Sequence, residues 1–407
     1  MAGPLSHVRV LDLSRVLAGP WAGQNLADLG AEVIKVERPK VGDDSRAFGP
    51  PWVKDKGGRD TKDSAYFTSA NRGKKSITVN VAKPAGQALV LALARECDVL
   101  IENYKHGDLA RYGLGYDDMR SVNPRLIYCS VTGFGQTGPY RERPGYDFMI
   151  QGMGGMMSVT GEPDGAPGGG PQRAGVPIAD IITGMYASIA ICAALANRAQ
   201  TGKGQHLDLA LLDSQIALLA YQNTNYFSTG KPPGRIGNLH PNIVPYQPFK
   251  SSDGEVIVAC GNDNLFRKFC NAAGRPELAA DPRFATNGKR VENRAELTRL
   301  IQAIFAGKTT AEWLALLEGA GVPNGPINNI AQVFEEPQVR ARGVKIELDH
   351  AAAGKLPLVA SPMRFSGTPL EYRLPPPLLG EHTDEVLRVL LRKSDAEIAQ
   401  LRAEGIL

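Results

Sequence analysis

The chain has 407 residues, 43% of them hydrophobic and 22% charged, with a formal net charge of +4. That length exceeds a single core and predicts two or three domains of ordinary globular composition. So small a charge gives no argument for nucleic-acid binding, yet it is compatible with a polyanionic small ligand.

The N-terminal residues lack the basic start and long apolar core of a signal peptide. Residues 8–13 read as a strand, and residues 20–29 as a helix with Pro20 in its first turn and Gly30 after its end. Strands are expected at 33–37, 76–81, 99–102 and 126–131, with helical stretches such as 85–95 between them. This alternation predicts βαβ units in a doubly wound, mostly parallel, Rossmann-like α/β sheet. Ligands on such sheets bind outside the carboxyl ends of the strands. Residues 184–198 and 208–223 look like largely buried helices, joined by Thr201-Gly-Lys-Gly-Gln205. Asp253-Gly254 marks a hairpin before a strand at 255–259, and 262–320 is mainly helical. The predicted organisation is a large domain at 1–205, a linker helix at 206–225, a small α+β domain at 226–320, and a return to the large domain at 321–407. That return includes a strand-like stretch at 362–365. No unbroken run of about 18 apolar residues occurs, so no membrane span is expected. Five cysteines without a CxxC pair predict a reducing cytoplasm and no structural zinc. Six histidines without ligand spacing predict no metal at all.

Glu37, ending the second strand, invites comparison with nicotinamide-binding folds. The first turn, Leu17-Ala-Gly-Pro-Trp-Ala-Gly23, lacks G-x-G-x-x-G, and Pro20 removes an N–H from any phosphate cradle. No nicotinamide site is expected. Thr201-Gly-Lys-Gly204 is no P-loop either, so ATP is not expected. Basic residues gather instead near the predicted strand ends: Arg38, then Asn71, Arg72, Lys74 and Lys75, then Lys105 and Arg111 after Asn103-Tyr104. Each alone reads as a surface charge. Together they suit a ligand with several phosphates, and without a dinucleotide or Walker fingerprint that points towards coenzyme A.

Asp180 stands alone among Ile178, Ile181 and Ile182, after a Gly- and Pro-rich apron containing Gly168, Gly169 and Gly170. It is either an N-cap, worth about 1 kcal/mol, or a partly desolvated carboxylate nucleophile. Local pattern leaves both open. The glycines permit close backbone approach to a ligand and would offer N–H groups to an oxyanion.

Several segments, taken in order, resemble class III CoA-transferases of the CaiB/BaiF type. They are Val10-Leu-Asp-Leu13, Gly30-Ala-Glu-Val-Ile-Lys-Val-Glu-Arg-Pro39, Asn71-Arg-Gly-Lys-Lys-Ser76, Glu102-Asn103, Gly145-Tyr-Asp147, Ala179-Asp-Ile-Ile-Thr-Gly184 and Leu379-Gly-Glu-His-Thr383. The resemblance implies that Asp180 is the nucleophile and that Val16, Arg38, the 71–75 loop, Asn103 and Arg111 hold CoA; Tyr104 and Lys105, which follow Asn103 in the strand-end cluster, are expected to join them. It further implies a discontinuous large domain and an interlocked homodimer.

Leu17 replaces the Gln of the formate and oxalate branch, and no four-glycine run occurs near Gly234. Gly42-Asp-Asp44, Arg46 and Val244-Pro-Tyr-Gln247 are closer to the branch that moves CoA between dicarboxylates such as succinate and glutarate. Tyr146 stands where acyl-CoA racemases of the family carry His, which disfavours the racemase alternative. A non-catalytic acyl-CoA-binding protein is the other alternative, and the intact Asp180 motif argues against it. The implied reaction is ping-pong transfer from succinyl-CoA through an aspartyl-CoA thioester. A dicarboxylate acceptor requires a cation for its far end, for which Arg46, Arg235 and His240 are the candidates.

Overall fold

The computed structural model describes residues 3–407. In chain order its first part runs β1 (Arg9–Asp12), α1 (Ala18–Asp28), β2 (Glu32–Glu37), the hairpin β3 (Trp52–Lys54) and β4 (Asp60–Ser64), α2 (Ala65–Ser69) and β5 (Lys74–Thr78). Then come α3 (Pro84–Arg95), β6 (Val99–Glu102), α4 (Tyr116–Val122), β7 (Ile127–Thr132), α5 (Asp147–Met153), α6 (Met156–Val159), α7 (Ile178–Thr201), β8 (His206–Ala210), α8 (Leu211–Leu218) and α9 (Tyr221–Thr229).

Six strands form one parallel sheet in the order β5-β2-β1-β6-β7-β8. Central strands such as Val99-Leu-Ile-Glu102 are buried along their whole length, because helices cover both sheet faces. Alternate residues feed two separate cores. Leu11, Ile34 and Leu100 pack with Leu89, Leu93 and Leu387 on one face. Val10, Val33 and Ile101 pack with Leu26, Ala187 and Ile191 on the other. The chain winds outward from β1 through β2 to β5, then returns to β6 and winds the other way. The switch point therefore lies between β1 and β6, where a ligand crevice belongs.

Helix α7 runs 24 residues and ends at Gly202, in the left-handed conformation (φ 72°). It is the one described helix long and apolar enough, by length and composition, to cross a membrane. Asp180, Thr183 and Arg198 interrupt its sequence, which hid it from a search for an unbroken apolar run. It packs against α1 and β7, and a Cβ added at Gly184 would stand 2.6 Å from the Ala18 carbonyl oxygen.

By compactness the chain divides into two units. One comprises residues up to Met156, Ala174–Thr229 and Gln338–Leu407; the other comprises Met157–Arg173 and Gly230–Pro337. The second has a three-stranded antiparallel sheet of β9 (Tyr246–Lys250), β10 (Glu255–Ala259) and β11 (Asn324–Pro326). Its core stacks Phe249, Phe269 and Trp313 around Phe305. The hairpin β12 (Lys345–His350) and β13 (Gly354–Val359) belongs to the first unit.

Three expectations need correction. Residues 206–225 are not a linker helix, because His206-Leu-Asp-Leu-Ala210 alternates with period two and pairs with β7 as the sheet's edge strand. Residues 362–365 form no strand. The second unit also extends past residue 320 to Pro337 and takes in the segment 157–173.

Candidate active site

The crevice is built from the turns that leave β1 and β6. Glu102 closes β6, and one of its carboxylate oxygens accepts the Tyr104 N–H at 2.8 Å. Asn103 then ties the two turns together. Its Oδ1 accepts the Arg15 N–H at 2.8 Å, and its Nδ2 donates to the Arg15 carbonyl at 2.6 Å. Val16 is held at φ 69°, a left-handed conformation that a β-branched residue adopts only under constraint. The constraint is Asp43, whose Oδ1 accepts the Val16 N–H at 3.0 Å. Burial alone would raise the Asp43 carboxyl. Lys35, 2.8 Å away, and the N–H groups of Ser45 and Val16 hold it at about 2 instead.

Val16, Asn103, Tyr104, Lys105 and Asp180 line one cleft of about 250 Å³. Arg15 and Tyr104 also line an adjoining crevice that contains Arg38. Leu17 and Ala18 border the cleft too, at the start of α1, and no side chain caps that helix end. Its unsatisfied N–H groups lend the cleft positive potential.

Asp180 is not the cap of α7. The helix begins at Ile178, and the N–H groups of its first turn are accepted by Asp147, from α5. Asp147 Oδ1 takes the Ala179 N–H at 2.8 Å and the Asp180 N–H at 3.4 Å, and Oδ2 takes Gln151 Nε2 at 2.7 Å. The capping duty being met from outside, the Asp180 carboxyl is left facing the cleft. Burial, reinforced by the Asp147 carboxylate, pushes its pKa up to about 7. A carboxylate that binds a proton so avidly is also a stronger nucleophile than a solvated one.

The other predicted residues separate into two groups. Arg38 pairs with Asp44 at the mouth of the adjoining crevice, and Arg111 pairs with Asp108, which lines the main cleft. The 71–75 loop is not part of the site. It leads into β5 and supplies its first two residues, so it lies at the starting edge of the sheet, opposite the carboxyl ends. Asn71 donates to the Phe67 carbonyl at 2.8 Å, and Arg72 forks onto Asp28. Lys74 is buried on Asp12, and Lys75 spans Glu32 and Glu385. Arg46 is equally committed. It is buried, grips Glu37 at 2.7 Å and Asp63 at 2.7 Å, and lies 3.7 Å above the Phe67 ring. Glu37 is correspondingly unavailable to a ribose.

In the second unit Arg235 pairs with Asp164. His240 Nδ1 accepts the Asn242 N–H at 3.1 Å, and its ring lies against Tyr246. Gly168 and Gly169 sit in a closed loop, not a loose apron: Gly169 N–H reaches the Ala166 carbonyl at 2.9 Å, and Gln172 N–H reaches that of Thr160 at 3.0 Å. No cluster of three or more metal-ligating side chains occurs among the described residues.

Sequence reasoning missed Asp147 as the helix cap, since it lies 33 positions before Asp180. It missed Tyr66, whose hydroxyl is pushed to about 12 by burial and by the carboxylates Asp180 and Asp147. It also missed Arg141 and Arg143, which border the cleft from the segment between β7 and α5.

A sequence model of the family described as CoA-transferase family III matches residues 5–383. The succinate–glutarate CoA-transferase of Agrobacterium fabrum is 51% identical over 387 residues, covering 95% of this chain and 96% of that one. The succinyl-CoA:glutarate CoA-transferase of Mus musculus is 46% identical over 99% of this chain and 90% of its own. The crystal structure of a CaiB/BaiF family protein from Brucella suis superposes with a TM-score of 0.83 at 51% identity, covering 96% of this chain and all of the other.

Proposed function

The chain belongs to CoA-transferase family III and is an enzyme that transfers coenzyme A; from that premise we propose that it moves CoA from succinyl-CoA to glutarate or a similar dicarboxylate through Asp180. The observation that carries this reading is the Asp180 carboxyl, relieved of capping and raised to about 7, in the cleft bordered by Val16, Asn103 and Tyr104. The names of the two relatives at 51% and 46% identity support the choice of substrates.

The ionised Asp180 attacks the thioester carbonyl of succinyl-CoA. The C–S bond breaks, giving a succinyl–aspartyl anhydride and CoA thiolate. The thiolate attacks the aspartyl carbonyl, releasing succinate and leaving aspartyl-CoA. Glutarate attacks that thioester, expelling the thiolate again, and the thiolate takes the glutaryl group from the second anhydride. One thioester replaces another, so no nucleotide is consumed. Covalent catalysis divides the exchange into easier steps. The positive start of α1 is placed to stabilise developing negative charge, and Arg15, Arg38 and Lys105 supply cations for the CoA phosphates.

Initial rates test the reading. Succinyl-CoA and glutarate are expected to give the parallel-line pattern of a ping-pong enzyme. The attack needs Asp180 ionised, so kcat/KM for succinyl-CoA is expected to fall tenfold per pH unit below about 7. Burial also raises Glu102 to about 7, so the profile is repeated with Glu102→Gln, in which the limb should persist. Converging lines, or a flat profile down to pH 5, would overturn the mechanism.

A homodimer is part of the proposal. Met185, Tyr186 and Ile189, which share a face of α7, are 46%, 40% and 62% exposed, and Tyr146 nearby in sequence to α5 is 70% exposed. A second copy covering that face would remove it from water. Ile189→Asp is expected to convert a dimer to a monomer in light scattering. A variant that stays dimeric would place the interface elsewhere.

A further inference from the structure

We infer that Arg143 reads the distal carboxylate of the dicarboxylate bound in the Asp180 cleft; this assignment rests on the dicarboxylate reading above. Four cations border that cleft: Arg15, Lys105, Arg141 and Arg143. Arg15 is engaged with Asp44 at 3.1 Å and lies over Tyr104 at 4.9 Å. Arg141 lies 3.7 Å from the neighbouring Glu142. Lys105 extends from the β6 turn and also borders a second cavity, with Glu102 and His206.

Arg143 differs from all of these. Its guanidinium lies 4.4 Å from the centre of the Tyr140 ring and 5.5 Å from that of Phe134, two rings that meet edge to face at 5.5 Å. No carboxylate among the described residues pairs with it. Stacking on a ring face fixes the plane of a guanidinium but leaves its N–H edge free. That edge is the geometry that grips a carboxylate with two parallel hydrogen bonds.

Position separates Arg143 from Arg38. Arg38 follows β2, and Arg143 follows β7; the order β2-β1-β6-β7 puts three strand spacings, about 14 Å, between those strand ends. Arg143 is instead tied to the nucleophile. Only Pro144, Gly145 and Tyr146 separate it from Asp147, the residue that accepts the Asp180 N–H. Four residues of chain span at most about 14 Å, and Arg143 and Asp180 line the same cleft. A diacid with one carboxylate at Asp180 then meets its second charge at Arg143. Of the three candidates named from the sequence, Arg46 and Arg235 are already paired with carboxylates, and His240 lies against Tyr246 in the second unit.

The test compares glutarate with pentanoate, which has the same chain length but no distal charge. In a ping-pong scheme the acceptor kcat/KM does not depend on the donor. Arg143→Gln is expected to lower it about 100-fold for glutarate and less than threefold for pentanoate, with Arg143→Lys in between. Affinity for free CoA, measured by titration calorimetry, is expected to stay within threefold. Equal losses for both acids, weakened CoA binding, or no change for glutarate would each overturn the assignment. A wild-type enzyme that turns over both acids equally would overturn the dicarboxylate reading itself, and this assignment with it.

Discussion

Asp180→Asn is expected to reduce CoA exchange by about 10⁴-fold or more, while binding CoA within threefold of the wild type and unfolding at a higher temperature at pH 8. The kinetic loss follows from chemistry. The amide has the shape of the carboxyl but cannot form the anhydride that carries the acyl group. The gain in stability follows from linkage. Asp180 has a folded-state pKa of about 7 against an ordinary 3.8. Between those values the folded chain holds a proton that the unfolded chain releases, so stability falls as pH rises through that window and stays lost above it. The cost at pH 8 is at most about 4 kcal/mol, and partial solvation brings it to about 1–3 kcal/mol. Removing the charge recovers that amount, part of which is repulsion from Asp147. The difference in melting temperature between variant and wild type should shrink towards pH 4. A variant no more stable than the wild type at pH 8 would mean that the Asp180 charge is well solvated. Substantial residual exchange would mean that another group is the nucleophile.

Lys74→Ala is expected to cost about 3–5 kcal/mol of stability without touching CoA affinity. Lys74 Nζ is buried and donates to Asp12 Oδ2 at 2.9 Å, the Pro20 carbonyl at 2.8 Å and Asn71 Oδ1 at 2.9 Å. Losing the lysine leaves Asp12 charged and buried, with the Ser14 N–H and hydroxyl and the more distant Lys35 as its remaining partners. A drop of roughly 10 °C in melting temperature is expected, with the KM for succinyl-CoA of the remaining folded enzyme unchanged within threefold. Lys105→Ala should do the opposite, because Lys105 is exposed in the cleft. It should leave the melting temperature alone and raise that KM. A stable Lys74→Ala enzyme with a raised KM would return the 71–75 loop to the CoA site.

These two lysines mark how much of the site was legible in the sequence. Alternating apolar strands and helices located the strand ends, and with them Arg38, Asn103 and Lys105. The lone acid at 180 was conspicuous among isoleucines. Lys74 and Lys105 look alike as letters, however, and only strand direction tells them apart: one opens β5 and the other follows β6. A better signal was present for the buried set. Lys35 stands within an otherwise apolar central strand, and a charge so placed requires a partner, which Asp43 supplies at 2.8 Å. The same reasoning would have withheld Arg46 from substrate duty, since Glu37 ends that strand and needed a cation. The period-two pattern of Leu207 and Leu209 was also there to be read. It was obscured because Leu211 and Leu212 continue the apolar run into α8.

Other features left no local trace. Asp147 caps α7 across 32 intervening residues, and that contact decides whether Asp180 is cap or nucleophile. Arg143 looks like any loop arginine until Tyr140 and Phe134 are seen beneath it. Both depend on how the β7–α5 connection folds back onto the start of α7, which no spacing in the chain encodes.

The central claim is a covalent bond between Asp180 and CoA. Intact-mass measurement after brief incubation with succinyl-CoA, without acceptor, tests it most directly. The enzyme is expected to gain the mass of one CoA less one water, mapped by peptide analysis to the segment containing Asp180 and discharged on adding glutarate. An unmodified enzyme under turnover conditions, or an adduct on any other residue, would contradict it.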